Sequence, residues 1–326
     1  MSLIAPAAIE ALARDRSDAR ARRDWATADT LRAQIEEAGW KVIDHGVDFN
    51  LEPAHPPDLV DDARIRHGSS ASVPSRLADP PTGLATVVLV ATDWPTDLAR
   101  ALDALSATAP DGTSVVIVAD APSEEQATAL EGELAKVAGN PPEVVWTSAR
   151  LGSAAALDIG IRRASGPVVI VLDSSAEPTS DVVTPLAAAL ADPSVAVVGA
   201  FGVRSGDLRH FESAPAGDVD AIEGYCLAFR RADFAARGPL DERFRFYRNL
   251  DLWWSLVLRD EGEGAAPRRA VALDLPVARH EHREWNALSE AERARLSKRN
   301  FYRIIDRFGH RRDLLSAPDP TPRRSR

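Results

Sequence analysis

Residues 84–120 read LATVVLVATDWPTDLARALDALSATAPDGTSVVIVAD, and this stretch predicts the fold of the chain. Two runs rich in β-branched and aliphatic residues, Thr86–Ala91 and Ser114–Ala119, enclose a segment with helical spacing, Asp97–Ser106. Both runs are nearly all apolar, as expected for strands that are covered on both faces. A strand, a helix and a second strand in this order predict a right-handed crossover within a parallel sheet.

The same alternation continues after residue 120. The next strand candidates are Glu143–Thr147 and Pro167–Leu172, each preceded by a predicted helix, Glu124–Val137 and Ser153–Ala164. Later candidates are the strands Val195–Phe201, Tyr225–Phe229 and Ala270–Leu273, the helix Leu250–Arg259, and a basic helix that begins at a capping box, Ser289–Glu292. An α/β domain with a mainly parallel sheet is therefore predicted.

The rest of the chain divides into segments of different character. The length of 326 residues suggests about two domains. Residues 1–52 are predicted to form a small helical hairpin, followed by two short extended pieces. Six prolines mark residues 53–83 as a linker or an irregular wrapping segment. The α/β domain then covers residues 84–315, and residues 316–326 are expected to form a flexible tail.

Composition and charge exclude several classes of protein. Hydrophobic residues make up 45% of the chain and charged residues 27%, which is typical of a globular protein. The formal net charge of −10 argues against nucleic acid as a partner. No apolar run has the roughly 18 residues that a membrane helix needs, and the residues before Glu10 have neither a basic leader nor an apolar core, so a signal peptide is not expected. The single cysteine, Cys226, excludes a disulfide framework and is expected in the core. Together, these features predict a cytoplasmic location.

The charge is distributed unevenly along the chain. Residues 280–326 carry 12 Lys and Arg against 7 Asp and Glu, whereas the chain as a whole is acidic. The apolar residues of the basic C-terminal helix share one face, which favours packing on the domain. A peripheral membrane contact through this helix is the alternative.

The ends of the predicted strands carry acidic and small residues instead of a nucleotide-binding glycine loop. The first strand is followed by ATDWPTD, which contains no glycine, and no P-loop occurs in the chain. The second strand ends in VVIVAD at Asp120, and the fourth ends in VIVLD at Asp173. Because ligands of parallel α/β sheets bind at the carboxyl ends of the strands, these side chains are site candidates.

The order of the motifs resembles the family 2 glycosyltransferases over about residues 84–310. The resemblance rests on the strand ends just described, on RLGSAAALDIG from Arg150, on LDSS from Leu172, and above all on the segment Gly224–Gly262. It implies a GT-A type fold, with a mixed, mostly parallel sheet flanked by helices, to which a small N-terminal helical hairpin and a C-terminal helix are added. It also implies transfer of a sugar from a nucleotide-diphosphate donor to an acceptor, which is a glycan, a lipid-linked molecule or a small molecule.

The resemblance also implies roles for particular residues. Asp173 is expected to bind Mn²⁺ or Mg²⁺ with help from His280, or alternatively from His282, and Asp251 is expected to act as the base of an inverting, metal-assisted reaction. The residues expected at the nucleotide sugar are Thr92, Asp93, Asp120, Arg150 and Gly152.

Three positions depart from the family pattern. Arg150 replaces the asparagine that opens the glycine-rich segment, and its charge can pair with the diphosphate. Ser175 replaces the second carboxylate of the L-D-x-D motif, and Asn249 stands where the family usually carries the base. Asparagine cannot accept a proton at neutral pH, so the base must be Asp251 or another carboxylate such as Asp241. The alternative function is a degenerate, weakly active or inactive transferase fold that serves as a binding or scaffold protein.

Residues 10–51 resemble a different family, the C-terminal tail of cysteinyl-tRNA synthetases. The shared pattern is A-R-x-x-x-D-W-x-x-A-D-x-L-R, followed by a glycine and a hairpin. This segment carries 7 Lys and Arg against 9 Asp and Glu, which disfavours contacts with phosphates. A helical hairpin that packs on the transferase or on a partner is the expected role.

Overall fold

A computed structural model describes residues 5–45, 48–60, 64–91, 93–136 and 141–316. The helices are α1 (Ala7–Ala21), α2 (Trp25–Glu37), α3 (Pro95–Thr108), α4 (Glu124–Lys136), α5 (Ser153–Arg163), α6 (Val183–Ala189), α7 (Arg231–Arg237), α8 (Leu250–Arg259), α9 (Arg283–Ala287) and α10 (Glu290–Phe308), followed by a 3₁₀ turn at Arg312–Leu314. The strands are β1 (Trp40–His45), β2 (Asp48–Pro53), β3 (Leu59–Val60), β4 (Ile65–His67), β5 (Ala85–Ala91), β6 (Thr113–Ala119), β7 (Glu143–Thr147), β8 (Val168–Leu172), β9 (Ala176–Pro178), β10 (Val195–Gly199), β11 (Gly202–Ser205), β12 (Phe211–Ala214), β13 (Gly217–Val219), β14 (Ala221–Ile222), β15 (Cys226–Arg230), β16 (Arg269–Ala272) and β17 (Val277–Arg279).

A mixed sheet forms the centre of the molecule. Within the described ranges it has ten strands, in the order β13-β16-β10-β15-β8-β5-β6-β7-β4-β3. The run from β8 to β4 is parallel, whereas β15 pairs antiparallel with both of its neighbours, β8 and β10. The predicted mixed, mostly parallel sheet flanked by helices is confirmed.

The apolar strands lie between two helical layers, which explains their composition. Val88 and Leu89 are adjacent on β5 and point to opposite faces of the sheet, and both are fully buried. Val88 belongs to the larger core, which includes residues of α8 and α10, and Leu89 belongs to the core formed with α3 and α6. The predicted strand Glu143–Thr147 and the predicted helix Leu250–Arg259 have the bounds that the structure shows.

The proline-rich segment 53–83 joins the domain surface. Its strand β4 pairs with β7, so that Arg66 lies opposite Trp146, and β3 extends the sheet by one further strand. The Arg76 N–H donates to the Arg162 carbonyl at 2.7 Å, and the Thr82 N–H donates to the Ser165 carbonyl at 2.8 Å. The segment therefore packs on the α/β domain instead of forming a free linker.

The N-terminal residues form a small module with its own core. Helices α1 and α2 pack with the β1–β2 hairpin around Ile9, Ala13 and Ile35. Arg16 holds both carboxylate oxygens of Asp44, at 2.8 and 3.0 Å, and this hydrogen bonding lowers the Asp44 pKa to about 2. The two helices expected from the sequence are present; the expected tail lies outside the described residues from residue 317 onward.

Two further expectations concern membranes and cysteine chemistry. In the described part of the chain, no helix combines the length and the apolar character that crossing a bilayer requires. Cys226 is fully buried on β15, and burial raises its pKa to about 12. The expected place of Cys226 in the core is confirmed.

A buried carboxyl group fastens α5 to the loop before residue 241. Asp158 is 1% exposed, and its Oδ1 accepts a hydrogen bond from the Leu240 N–H at 2.9 Å. Its Oδ2 has no hydrogen-bond partner within the described residues. Burial raises the Asp158 pKa to about 8, so the group is mainly a neutral acid at neutral pH.

We expect Asp158→Asn to stabilise the protein in a pH-dependent way. The folded-state pKa lies above that of an unfolded aspartate, so the wild-type protein loses stability as the pH rises from about 4 to about 8. The asparagine side chain has the same shape but does not titrate, so the variant does not lose stability as the pH rises. The gain in unfolding free energy should be at least about 1.4 kcal/mol larger at pH 8 than at pH 5, the value of one pKa unit.

Urea unfolding at the two pH values measures this difference. Asp103→Asn, on the exposed side of α3, is the matched control and should change stability equally at both. The same gain at pH 5 and pH 8 for Asp158→Asn would contradict the assignment of a neutral Asp158.

Candidate functional site

The carboxyl ends of three neighbouring strands carry the predicted acidic residues. β8, β5 and β6 pair in parallel, so the residues that follow them, Asp173, Asp93 and Asp120, emerge at one edge of the sheet. Thr92, predicted at the nucleotide sugar, lies outside the described residues. This edge is where parallel α/β sheets bind ligands.

Asp120 organises the loop that leads into α5. Its Oδ1 accepts hydrogen bonds from the Leu151 N–H at 2.7 Å and the Thr147 hydroxyl at 3.0 Å. Its Oδ2 accepts from the Gly152 N–H at 2.9 Å, and the side chain is buried. The structure thus shows Asp120 as an anchor of the backbone that borders the site.

Gly152 allows two chain segments to approach each other closely. Its φ of +97° lies in the region that favours glycine, and a Cβ there would lie 2.8 Å from the Cα of Arg245. The Ser153 N–H donates to the Arg245 carbonyl at 3.2 Å across this contact. The N-terminus of α5 is therefore held against the loop that precedes α8.

Arg150 and Asp93 form an ion pair at the same edge. Their Nη2 and Oδ2 atoms are 2.5 Å apart, and Asp93 Oδ1 accepts from the Ser123 N–H at 2.8 Å. Burial alone would raise the Asp93 pKa, but these hydrogen bonds and the charge of Arg150 hold it below its usual value. The Arg150 side chain is 57% exposed, so its charge is accessible to a ligand.

Asp173 is oriented by Ser175 and paired with a histidine. Its Oδ1 accepts hydrogen bonds from the Ser175 N–H at 2.8 Å and from the Ser175 hydroxyl. Its Oδ2 lies 3.5 Å from His282 Nε2. Although burial opposes charge on both groups, their interaction lowers the pKa of Asp173 and raises the pKa of His282. The ring of His282 stacks on Tyr247 with a centroid distance of 4.2 Å.

His280, which the sequence favours as the helper of Asp173, contacts a different carboxylate. Its N–H continues the β9–β17 ladder by donating to the Ser175 carbonyl at 2.7 Å, and its Nε2 lies 2.6 Å from Glu177. The chain leaves the ladder after His280, and His282 comes to lie against Asp173. The alternative histidine in the sequence prediction, His282, is the one that the structure places beside Asp173.

A cavity of about 140 Å³ opens beside Asp173 and continues between the sheet, α5 and α8. Its polar lining residues include Asp173, Glu223, Asp251, His282 and Glu284. Its apolar lining residues lie farther from the strand ends, since Val171 precedes Asp173 on β8 and Trp254 packs on Phe229, the partner of Val169. Acidic groups and an apolar chamber therefore share a single space.

Asp251 faces this cavity from the first turn of α8. Its Oδ2 accepts from the Gly224 N–H at 2.8 Å, and its Oδ1 accepts from the Leu252 N–H at 2.9 Å. Burial raises the Asp251 pKa in spite of these hydrogen bonds. A carboxylate with a raised pKa is suited to take up a proton.

Asn249, at the base position of the family, and Asp241, the alternative carboxylate, lie outside this cavity. Asn249 has a left-handed φ of +68°, and its Nδ2 donates to the Ser297 carbonyl of α10 at 3.1 Å. The Asp241 carboxylate is bound by Arg243 at 2.6 Å, which helps to lower its pKa against the effect of burial. Neither residue lines the cavity that contains Asp173 and Asp251.

The structure adds two carboxylates that the sequence reasoning did not single out. Glu223 and Glu284 both line the cavity, and burial raises the pKa of each. Asp251 adds to the raised pKa of Glu223 through repulsion, while Arg279 opposes it from 3.4 Å. Glu223 directly precedes the motif that begins at Gly224, and Glu284 follows the two histidines, so their positions in the chain were the available signal.

Within the described residues, no three His, Cys, Asp or Glu side chains converge as a metal-binding group. At the carboxyl edge of the sheet, Asp173 and His282 form a pair of potential ligands. Two protein ligands leave the remaining positions of a divalent cation open to substrate oxygens or water.

The chain also matches a known protein family over most of the residues that form this site. The model of glycosyl transferase family 2 matches residues 86–271, which is more than half of the chain. The chain belongs to this family. The match includes the ends of β5, β6 and β8 and the whole of α8, and therefore both Asp173 and Asp251.

A solved structure shares the fold of this family member, and a second one is a weaker match. A crystal structure of GalNAc-T7 with UDP, GalNAc and Mn²⁺ is 16% identical, with a TM-score of 0.57, and the match covers 69% of this chain. The chain spans about half of that structure, since 48% of it is covered. The mannosyltransferase PcManGT from Pyrobaculum calidifontis, in complex with GDP-Man and Mn²⁺, is 21% identical, with a TM-score of 0.45 and coverages of 62% of this chain and 57% of that one.

A short match links the chain to a second family. A cysteine–tRNA ligase of Opitutus terrae is 47% identical over 49 residues, which amount to 15% of this chain and 11% of the ligase. This likeness covers a small segment only and leaves almost all of the ligase without a counterpart here.

We expect Asp120→Ala to destabilise the protein by about 3 kcal/mol, because it leaves the Leu151 and Gly152 amides without their buried acceptor. Asp93→Ala removes a charge at the same edge from a partly exposed position and should cost less than about 1 kcal/mol. Denaturant unfolding of both variants measures the contrast. Equal losses would show that Asp120 is not the anchor of this loop.

Proposed function

We propose that this protein transfers a sugar from a nucleotide-diphosphate donor to an acceptor hydroxyl with inversion, and that Asp251 is its general base. The observation that carries the proposal is the single cavity at the carboxyl edge of the sheet, which Asp173 and Asp251 line together. Membership of glycosyl transferase family 2 supports the reaction class.

The donor lies along the edge formed by β5, β6 and β8. Arg150 supplies an exposed guanidinium, which can leave Asp93 and pair with the diphosphate through two parallel hydrogen bonds. Asp120 and Gly152 shape the adjoining loop, so they act on the nucleotide sugar through the backbone that they hold. GalNAc-T7 with UDP and PcManGT with GDP-Man are precedents for uridine and guanosine donors.

A divalent cation fits the pair formed by Asp173 and His282. Their facing atoms, Asp173 Oδ2 and His282 Nε2, are 3.5 Å apart, so both would hold one ion once His282 has given up its proton. A carboxylate and an imidazole suit Mn²⁺ better than Mg²⁺. When bound, the ion would neutralise charge on the departing diphosphate. Ser175 replaces a ligand in the family pattern, and here its hydroxyl orients Asp173.

The acceptor oxygen attacks the anomeric carbon while its proton passes to the Asp251 carboxylate. The bond from that carbon to the diphosphate oxygen breaks, and its electron pair leaves with the nucleotide diphosphate. Attack from the face opposite the leaving group inverts the configuration, as in inverting glycosidases. Burial of Asp251 raises its pKa and so increases its basicity, while the two backbone N–H groups keep it in place.

The remaining parts of the chain have accessory roles in this proposal. The N-terminal module packs on the transferase domain or on a partner protein, because its excess of acidic residues disfavours nucleic acid. Its core and its Asp44 ion pairs support a separately packed unit. Arg295, Lys298 and Arg299 are exposed on α10, which supports a peripheral contact with an anionic membrane surface.

We expect the melting temperature to rise by several degrees with one of UDP, GDP or dTDP, or their common sugars, and to rise further with Mn²⁺. A ligand at about 100 times its dissociation constant adds about 2.7 kcal/mol, which produces such a shift. Asp173→Ala should remove the effect of Mn²⁺, whereas Asp103→Ala, an exposed charge on α3, should leave it intact. Binding that is indifferent to metal, or no binding at all, would instead favour the degenerate scaffold.

We expect Asp251→Asn to reduce turnover by about 10²- to 10⁴-fold, the usual contribution of a general base. Release of nucleotide diphosphate from the donor found in the binding screen is the measurement. Asp241→Asn is the matched control, because it removes a carboxylate from outside the cavity and should change turnover less than about threefold. Full activity in Asp251→Asn would overturn the assignment of the base.

A further inference from the structure

The inner end of the cavity is more apolar than a sugar-binding site needs to be. Val90, Val171 and Leu227 come from three adjacent strands, and the cavity is also lined by Leu157 of α5, Leu240 of the loop between α7 and α8, and Trp254 of α8. Hexoses are bound by polar groups, and those of this cavity are gathered at the other end, around Asp173 and Asp251. The inner end therefore suits an apolar part of a substrate.

Trp254 lines this chamber and carries a hydrogen-bond donor without a partner among the described residues. Its side chain is 3% exposed, and its Nε1 finds no hydrogen-bond partner anywhere in the described part of the chain. A buried indole N–H usually has a partner, and leaving it unpaired costs free energy. A ligand oxygen in the chamber would satisfy this group.

The size of the chamber and its position beside the base indicate what it holds. The whole cavity measures about 140 Å³, close to the roughly 150 Å³ of an apolar cavity that holds benzene, so one ring with its hydroxyl fills it and the sugar donor lies outside its mouth. Asp251 and Trp254 are three residues apart on α8 and line the same cavity. A molecule whose hydroxyl meets Asp251 thus places its next atoms over Trp254.

We propose that the acceptor is an aromatic alcohol, whose ring occupies the apolar end of the cavity while its hydroxyl meets Asp251. An oxygen substituent on the ring accepts the hydrogen bond of Trp254 Nε1. In the transfer, the aryl oxygen bonds to the anomeric carbon, its proton moves to Asp251, and the nucleotide diphosphate leaves with the electron pair. This acceptor assignment rests on the function proposed above, whereas binding of the ring does not.

The test begins with binding of 4-methoxyphenol and of benzene to the full-length protein, followed by thermal shift and by Trp fluorescence. At about ten times the dissociation constant, 4-methoxyphenol should raise the melting temperature by about 2–4 °C. Leu157→Phe fills the chamber and should weaken binding at least tenfold. Leu102→Phe makes the same change on α3, outside the cavity, and should leave binding unchanged.

Trp254→Phe separates the hydrogen bond from the apolar contact. This substitution should weaken the binding of 4-methoxyphenol by about fivefold and leave the binding of benzene nearly unchanged. It therefore also tests the aromatic site if Leu157→Phe does not fold. Absence of binding to the wild-type protein, or equal binding to Leu157→Phe and Leu102→Phe, would overturn the aromatic site.

Incubation with the donor identified by thermal shift then tests the acceptor role. Formation of a 4-methoxyphenyl glycoside, detected by mass spectrometry and lost in Asp251→Asn, is the expected result. Ring binding with donor binding but no glycoside overturns the acceptor assignment. Ring binding without any nucleotide binding leaves the aromatic site standing and overturns the proposed transferase function, so the two failures are distinguishable.

Discussion

The parallel pairing of β5 with β6 and β8 is the constraint on which the rest of the structure depends. It brings the ends of three strands to one edge, so that Asp93, Asp120 and Asp173 emerge side by side although up to 80 residues separate them. The pairing persists because both faces of the strands are covered, with Val88 and Leu89 buried on opposite sides. Helices α5 and α8 then pack beside that edge and leave the cavity between them.

Burial acts on the carboxylates of the site in two different ways. Asp173 keeps a low pKa because His282 compensates the loss of solvent, whereas burial raises the pKa of Asp251, Glu223 and Glu284. One cavity thus holds an ionised carboxylate near the sheet edge and several that take up protons more readily. A separation of this kind is what acid–base chemistry on a charged substrate requires.

The structure shows which contacts are made by the residues at which this chain departs from its family pattern. Ser175 keeps Asp173 oriented through its hydroxyl, and Asn249 turns toward α10 instead of the cavity. Asp158, which holds α5 against the loop before residue 241, has its pKa raised by burial to about 8 and is therefore mainly uncharged at neutral pH. The substitutions at Ser175 and Asn249 alter the groups that surround the reaction while the shape of the edge is retained.

The sequence by itself determined the central strands of the sheet, the helices between them and the positions of Asp93, Asp120, Asp173 and Asp251, because apolar periodicity and motif order are local properties of the chain. Only the tertiary structure decided that His282 lies beside Asp173 while His280 contacts Glu177, since the β9–β17 ladder sets the direction in which each ring points. It also decided that Asp120 holds backbone amides and that an apolar chamber lies behind Asp251. Those facts depend on packing between segments far apart in the chain, which no local pattern records.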